Sequence, residues 1–143
     1  MQRVLSILLI AGLSIFLIGC EKGPSTVSVS ITITQKGNAI EGATVVATAS
    51  DGSGNSASAV TNASGVAALQ TPGKGAGALP GEYQVAVTKW EDGKTVPAPS
   101  EDDPNATMVE QNNVLPEKYA SPATSGFALT VGPKGTTETF NIE

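Results

Sequence analysis

The chain has 143 residues, no histidine, one cysteine and a formal net charge of −5, and its length is that of one ordinary domain. The missing histidine excludes His-ligated metal sites and Ser-His-Asp or Cys-His catalysis. The acidic balance argues against nucleic acid as a partner, because contact with phosphates requires a basic face. A single cysteine also excludes an internal disulfide.

The N-terminus has the pattern of a secretory signal peptide. Arg3 is followed by an apolar run over residues 4–18, interrupted by two serines. This run is shorter than the roughly 20 residues that a membrane-spanning helix requires, and it suits the apolar core of a signal peptide. Directly after it comes a motif that resembles the lipobox of bacterial lipoproteins, Leu17-Ile18-Gly19-Cys20.

The lipobox resemblance implies that the chain is cleaved before Cys20 and that the thiol of Cys20 carries a lipid. We therefore expect a signal peptide over residues 1–19 and a lipidated tether over residues 20–25. Glu21 is not the Asp that retains lipoproteins at the inner membrane under the enterobacterial sorting rule. This favours the outer membrane, or a periplasm-facing position in the cell envelope, with the membrane itself as one partner.

Residues 26–143 have the alternation that is typical of β-strands. In residues 27–34, β-branched apolar residues alternate with Ser and Thr, as in a half-buried strand. Six further short strands are predicted, at 43–49, 57–61, 66–70, 83–88, 127–131 and around Phe140 and Ile142. Seven strands with frequent turns predict an all-β antiparallel sandwich. Its expected core includes Val29, Ile31, Val45, Val85, Val87, Leu129 and Phe140.

Several motifs resemble those of carboxypeptidase regulatory-like domains. They lie at 37–45 (G-x-x-I-x-G-A-x-V), 61–66 (T-N-x-x-G-x), 79–85 (L-P-G-x-Y-x-V) and 115–126 (L-P-x-K-Y-x-x-P-x-T-S-G). The last is similar to a signature of small lipoproteins that are common in Planctomycetes. The resemblance implies a transthyretin-like (prealbumin-like) Greek-key sandwich that has no catalytic activity of its own. Tyr83, within the third motif, has inward parity, and we expect its hydroxyl to reach a backbone carbonyl.

An acidic, proline-rich insertion occupies residues 91–125. It holds seven acidic residues, two lysines and five of the nine prolines. Residues 91–113 contain too little apolar surface to offset the entropy of ordering them, so this part is predicted to be mobile and exposed. Residues 114–126 contain more apolar side chains and are predicted to be ordered against the sandwich.

The sequence leaves three classes of function open. The first is a non-enzymatic, lipid-anchored β-sandwich of the cell envelope with a structural or protein-interaction role. The second is a carbohydrate-binding module, in which Trp90 and Tyr119 are possible ligand contacts, although Trp90 also suits simple packing under the insertion. The third is an enzyme that uses the acidic insertion, but carboxylates on a flexible segment lack the rigid placement that catalysis requires.

No cofactor and no metal are expected. Residues 51–55 imitate the first positions of a calcium-binding loop. The twelfth position of that loop, where a bidentate Glu is required, is Asn62. The segment is therefore predicted to be an ordinary turn. The unidentified partner is expected to be an envelope protein or a glycan.

Overall fold

The computed structural model describes residues 25–98 and 105–143, so the predicted signal peptide, the predicted lipobox and Cys20 lie outside the described residues. In chain order the strands are β1 (Val29–Gln35), β2 (Asn38–Ala39), β3 (Thr44–Ala49), β4 (Ser56–Val60), β5 (Val66–Ala68), β6 (Gln70–Thr71), β7 (Gly75–Ala76), β8 (Gly81–Thr88), β9 (Trp90–Pro97), β10 (Thr107–Asn113), β11 (Phe127–Val131) and β12 (Thr136–Ile142). Two four-residue helical segments, a 3₁₀ helix (Glu117–Ala120) and α1 (Pro122–Ser125), lie between β10 and β11.

Two sheets form a sandwich. In the first sheet, β1 has β12 on one side and both β2 and β5 on the other. The second sheet has the order β11-β8-β3-β4-β6-β7. All predicted strands are found, although the predicted strand 66–70 is divided into β5 and β6. The predicted number of seven is not confirmed, because the described residues hold twelve strands.

One pair of strands departs from the predicted antiparallel arrangement. β1 and β12, the first and last strands, pair in parallel, with Val29 opposite Thr136 and Gln35 opposite Ile142. All other strand pairs among the described residues are antiparallel. A parallel neighbour needs a long crossover connection, and here all the elements from β2 to β11 provide it. The first and last strands of the described residues are therefore neighbours in the first sheet.

The core lies between the two sheets and follows the predicted alternation. Its largest fully buried side chains come from both sheets: Ile31, Ile33, Leu69, Leu129, Ile142, Val45, Val85 and Val87. Phe140, predicted to be in the core, is half-buried and packs against this cluster from its rim. Tyr83 is 3% exposed and its hydroxyl donates a hydrogen bond to the carbonyl oxygen of Leu79 at 2.9 Å. The prediction for Tyr83 is thus confirmed.

The first part of the insertion, residues 91–113, was predicted to be mobile and exposed, and it has regular structure where it is described; residues 99–104 lie outside the described residues. β9 and β10 form an antiparallel hairpin, which is a two-stranded sheet of its own. The prediction underestimated backbone pairing between the two halves of the segment, which gives them regular structure without a hydrophobic core. The predicted exposure is confirmed, because nearly every residue of both strands is exposed, and the mobility of the segment stays a prediction.

The second part of the insertion packs against the sandwich, as predicted. Leu115 and Tyr119 are buried, and α1 contacts β8. The ring of Tyr119 stacks on Phe127, with centroids 5.0 Å apart, and Phe127 stacks on Phe140 at 4.6 Å. Phe127 belongs to β11 and Phe140 to β12, so this three-ring stack joins the two sheets at the rim of the core.

The strand directions define two ends of the sandwich. The proximal end is the one where the described chain begins, at Ser25; there Val27 forms a bridge with Ala78, and Thr136 donates to Ser28. The distal end is the opposite one. It holds the turn between β1 and β2 and, because Thr88 pairs with the first residue of β3, also the β9–β10 hairpin.

Gly77, at the proximal end, is expected to be required for the close approach of its backbone to Val27. Gly77 has φ +92°, and a Cβ atom there would overlap the carbonyl of Val27. Gly73, in the turn between β6 and β7, has φ +74°, but no atom lies within 4 Å of the position that its Cβ would take. Gly73→Ala should therefore cost only the backbone penalty of about 1–2 kcal/mol. Gly77→Ala should cost about 1–3 kcal/mol more, because the overlap must be relieved by moving the chain.

Urea unfolding of the two variants measures this difference. Equal losses of stability at the two positions would contradict the close approach of Gly77 to Val27.

Candidate functional site

The large exposed apolar side chains of the described residues are concentrated at the distal end. Four of the five lie in the hairpin or at its base: Trp90 (54% exposed), Met108 (49%), Val109 (44%) and Val114 (47%). The fifth is Val60, the last residue of β4, which pairs with Thr44 at the same end. Single exposed apolar residues are ordinary, but a group at one end of a domain indicates an interaction surface.

The hairpin is attached to the sandwich by a short polar base. The backbone N–H of Val114 donates to the carbonyl oxygen of Lys89 at 2.9 Å, and the N–H of Lys89 donates to Oδ1 of Asn113 at 3.0 Å. Lys89 also forms an ion pair with Glu91 at 3.0 Å. Because both partners of this pair are partly exposed, its contribution to stability is small. The base fixes the direction of the hairpin while its strands stay in solvent.

A groove of about 630 Å³ lies at the base of the hairpin. Its walls are the turn between β1 and β2 and the residues that enter and leave the hairpin. It is lined by apolar side chains, among them Ile40, Val114 and Leu115, and by two lysines and two glutamates, Lys36, Glu41, Lys89 and Glu91. The two signs of charge balance, so the groove itself favours neither an anion nor a cation.

The two residues named as possible ligand contacts differ in exposure. Trp90 is open to solvent at the start of β9, and its side chain is available to a ligand. Tyr119 is 3% exposed and stacks on Phe127, so its ring has no open face for a sugar. Its hydroxyl accepts a hydrogen bond from the backbone N–H of Glu143 at 3.2 Å. The structure therefore gives Tyr119 a packing role and leaves Trp90 as the exposed aromatic.

The segment 51–55 is a turn at the proximal end, and its polar side chains form hydrogen bonds within the turn itself. Oδ1 of Asp51 accepts from the N–H of Ser53 at 2.9 Å, and Oγ of Ser53 accepts from both the backbone and the side chain of Asn55. The hydrogen bonds from Ser53, those of its side chain first, lower the pKa of Asp51. No cluster of three potential metal ligands occurs among the described residues.

The two tyrosines of the chain have pKa values shifted in opposite directions. Burial raises the pKa of Tyr83, and the nearby charge of Asp51 adds to this. The pKa of Tyr119 is lowered, first by the hydrogen bond from the backbone N–H of Glu143 and then by Lys118. The ammonium group of Lys118 lies 4.6 Å from the centre of the Tyr119 ring.

Alkaline titration should separate these two tyrosines. Near-ultraviolet absorbance is expected to show two steps, Tyr119 below the ordinary value of about 10 and Tyr83 above it. Tyr119→Phe should remove the first step and Tyr83→Phe the second. Since the pKa of Tyr83 is higher in the folded protein, its stabilising contribution holds below about pH 10 and is lost as the pH rises through the folded-state pKa. A single step at the ordinary value would contradict both assignments.

Comparison with known proteins gives a distant structural likeness. No protein-family model matches the chain, and no curated protein matches it. Among solved structures, the chain is similar to a variant of BcpA, the major pilin subunit of Bacillus cereus, with 14% identity and a TM-score of 0.44. The similarity covers 84% of this chain but 30% of that subunit. Among the described residues, no helix is long and apolar enough to span a membrane.

Sequence reasoning missed the position of the exposed apolar residues relative to one another. Val60 and Val109 stand 49 positions apart in the sequence, and only the strand directions place both at the distal end. The alternation of β4 did contain a signal, because Val60 ends a strand with outward parity. The apolar residues of 107–110 were a second signal, masked by the surrounding acidic residues and prolines.

Proposed function

We propose that this protein is a non-enzymatic, lipid-anchored β-sandwich of the bacterial cell envelope whose distal end binds a partner protein. The observation that carries the proposal is the collection of all five large exposed apolar side chains of the described residues at that end. Val114 lines the groove at the hairpin base, and Met108 and Val109 lie further along the hairpin. Burial of such an apolar surface against a partner is favourable, because it removes the surface from water.

The proposed lipid anchor would determine which end of the sandwich faces the membrane. Lipid on Cys20 would hold the chain at the proximal end, because the described residues begin there at Ser25. Residues 21–25 can span at most about 17 Å when fully extended. The proximal end would therefore ride near the headgroups, and the hairpin would face away from the membrane. Repulsion between its acidic residues and anionic lipid favours the same orientation.

The proposed family is that of carboxypeptidase regulatory-like domains. The β-sandwich architecture supports this, and so does the position of the motifs at turns that lead into strands. Residues 79–85, the L-P-G-x-Y-x-V motif, contain the turn before β8 and the buried Tyr83. Residues 37–45 contain the turn that leads into β3. Absence of catalysis remains part of the proposal and rests on the lack of histidine in the whole sequence.

A second candidate function is carbohydrate binding, and the exposure of Trp90 favours it. An open indole can stack on a sugar ring. Polysaccharide pull-down with the full chain tests this, with Trp90→Ala as the variant and Val60→Ala as the matched control at the same end. Retention of the chain that depends on Trp90 but not on Val60 would favour the glycan over the partner protein.

Cross-linking in intact cells tests the main proposal. In the test variant, residues 91–112 are replaced by Asn-Gly, which suits a tight turn between the paired positions 90 and 113. The three exposed apolar residues that remain at the distal end, Val60, Trp90 and Val114, are changed to Ser in the same variant. The control variant shortens the proximal turn 51–55. Cross-links to a partner protein should disappear in the first variant and persist in the second. Cross-links that survive removal of the hairpin would refute distal binding.

A further inference from the structure

The two edges of the β9–β10 hairpin are protected to different degrees. Between the pairs Thr95–Val109 and Asp92–Gln111, two residues of β9 lie opposite a single residue of β10, Glu110, so β9 contains a bulge. β9 also holds Lys94 and ends at Pro97. Bulges, lysines and prolines are the devices by which proteins prevent edge strands from pairing.

The edge of β10 that faces away from β9 has none of these protective features. Its sequence, Thr-Met-Val-Glu-Gln-Asn-Asn, has no proline, no lysine and no extra residue. In the described part of the chain, β10 pairs with β9 alone, so one full edge of seven residues is open. Glu110, at its centre, is the single charge on this strand.

We infer that the open edge of β10 accepts an extended, basic segment of a partner protein as a third strand. This deepens the proposed function and rests on it. Main-chain hydrogen bonds to the edge would supply affinity, and the side chains opposite each β10 residue would supply specificity. The partner segment would carry Lys or Arg opposite Glu110 and apolar β-branched residues beside it.

The low stability expected of an isolated hairpin favours the addition of a third strand. An isolated two-stranded hairpin is only marginally stable in water, whereas three strands with an apolar face are sufficient. Met108 and Val109 are about half exposed and lie on opposite faces of the hairpin, because they are consecutive in a strand. A neighbouring strand would cover part of each side chain and so stabilise the hairpin on both faces.

Charge decides between a foreign strand and a second copy of this chain. Glu110 is the middle residue of β10, which spans Thr107–Asn113. Two-fold antiparallel pairing of β10 with its own copy at full overlap would therefore place the two Glu110 carboxylates directly opposite each other. Like charges in that position are destabilising. A basic residue opposite Glu110 is favourable.

Amide hydrogen exchange on the full chain in detergent tests the inference. The probe is a synthetic peptide of about eight residues in which Lys alternates with Val and Thr, and its twin has Glu in place of Lys. At about ten times its Kd, the basic peptide should slow exchange of the outward amides of β10 about tenfold. Amides on the free edge of β9 and on β12 should not change. The acidic twin should have no effect.

Two charge-reversal variants separate edge pairing from general attraction. Glu110→Lys and Glu91→Lys change the net charge equally and lie on different strands of the same hairpin. The affinity for the basic peptide should fall at least about tenfold in Glu110→Lys and much less in Glu91→Lys. The inference would be overturned if both variants lost affinity equally or if neither peptide bound. It would also be overturned if the peptide slowed amide exchange on β9 or β12 instead of β10, or if the chain formed a dimer through β10.

The cellular experiment keeps the two proposals distinguishable. If removal of residues 91–112 abolishes the cross-links but Glu110→Lys leaves them intact, the distal end binds a partner by another surface and only the edge proposal fails. If neither change affects them, partner binding at the distal end fails as well.

Discussion

Val85→Asp is expected to unfold the sandwich. Val85 is fully buried at the middle of β8, where it is opposite Ala47 on one side and Phe127 on the other. A carboxylate at this position has no partner, and even its neutral form loses its hydrogen bonds with water. We expect a loss of at least about 4 kcal/mol, which is a large part of the 5–15 kcal/mol that stabilises a domain.

Gln84→Asp is the matched control, since Gln84 is adjacent in the same strand and exposed on the outer face of the sheet. The same new side chain there should change stability by about 0.5 kcal/mol or less. Far-ultraviolet circular dichroism and urea unfolding of the purified chains measure both effects. A cooperative transition of nearly normal stability for Val85→Asp would show that β8 does not cross the core.

The alternation of the sequence was sufficient to predict the longer strands of the sandwich, but not the two-residue strands β2 and β7. In β1, Val29, Ile31 and Ile33 are all inward and buried, because side chains on a strand alternate between its faces. The pairing of β1 with β12 was not predictable in the same way. These strands are about 100 residues apart, and neither contains a local signal for a parallel neighbour. Local pattern determines which residues face inward, whereas strand order depends on the whole chain.

The insertion shows the limit of arguments from composition. Low apolar content and proline correctly predicted that residues 91–97 are exposed, but not that they would pair with β10. Hydrogen bonding between strands, including a side-chain bond from Gln111 to Asp92, does not require a core. The three-ring stack was hidden for a different reason. Phe127 and Phe140 are on different sheets, and their contact follows from how the sheets pack.

Cys20→Ser is expected to abolish lipid attachment and processing. The motif Leu17-Ile18-Gly19-Cys20 places the single thiol of the chain at the end of an apolar run, and a serine hydroxyl does not replace a thiol in the lipid-transfer reaction that the resemblance implies. Labelling with a radioactive fatty acid should be lost completely. The variant should accumulate as a precursor that retains residues 1–19, which intact-mass measurement detects.

A second variant distinguishes the lipobox from the thiol alone. In the double substitution Cys20→Ser and Ser25→Cys, the chain keeps one cysteine but moves it five positions away from the motif. If the motif directs the reaction, this chain should also remain unlabelled and uncleaved, whereas labelling at residue 25 would mean that any thiol near the apolar run is sufficient. The orientation argument depends on this result. A lipid at residue 20 would hold the proximal end within about 17 Å of the headgroups and would leave the apolar distal end and the open edge of β10 facing the rest of the envelope.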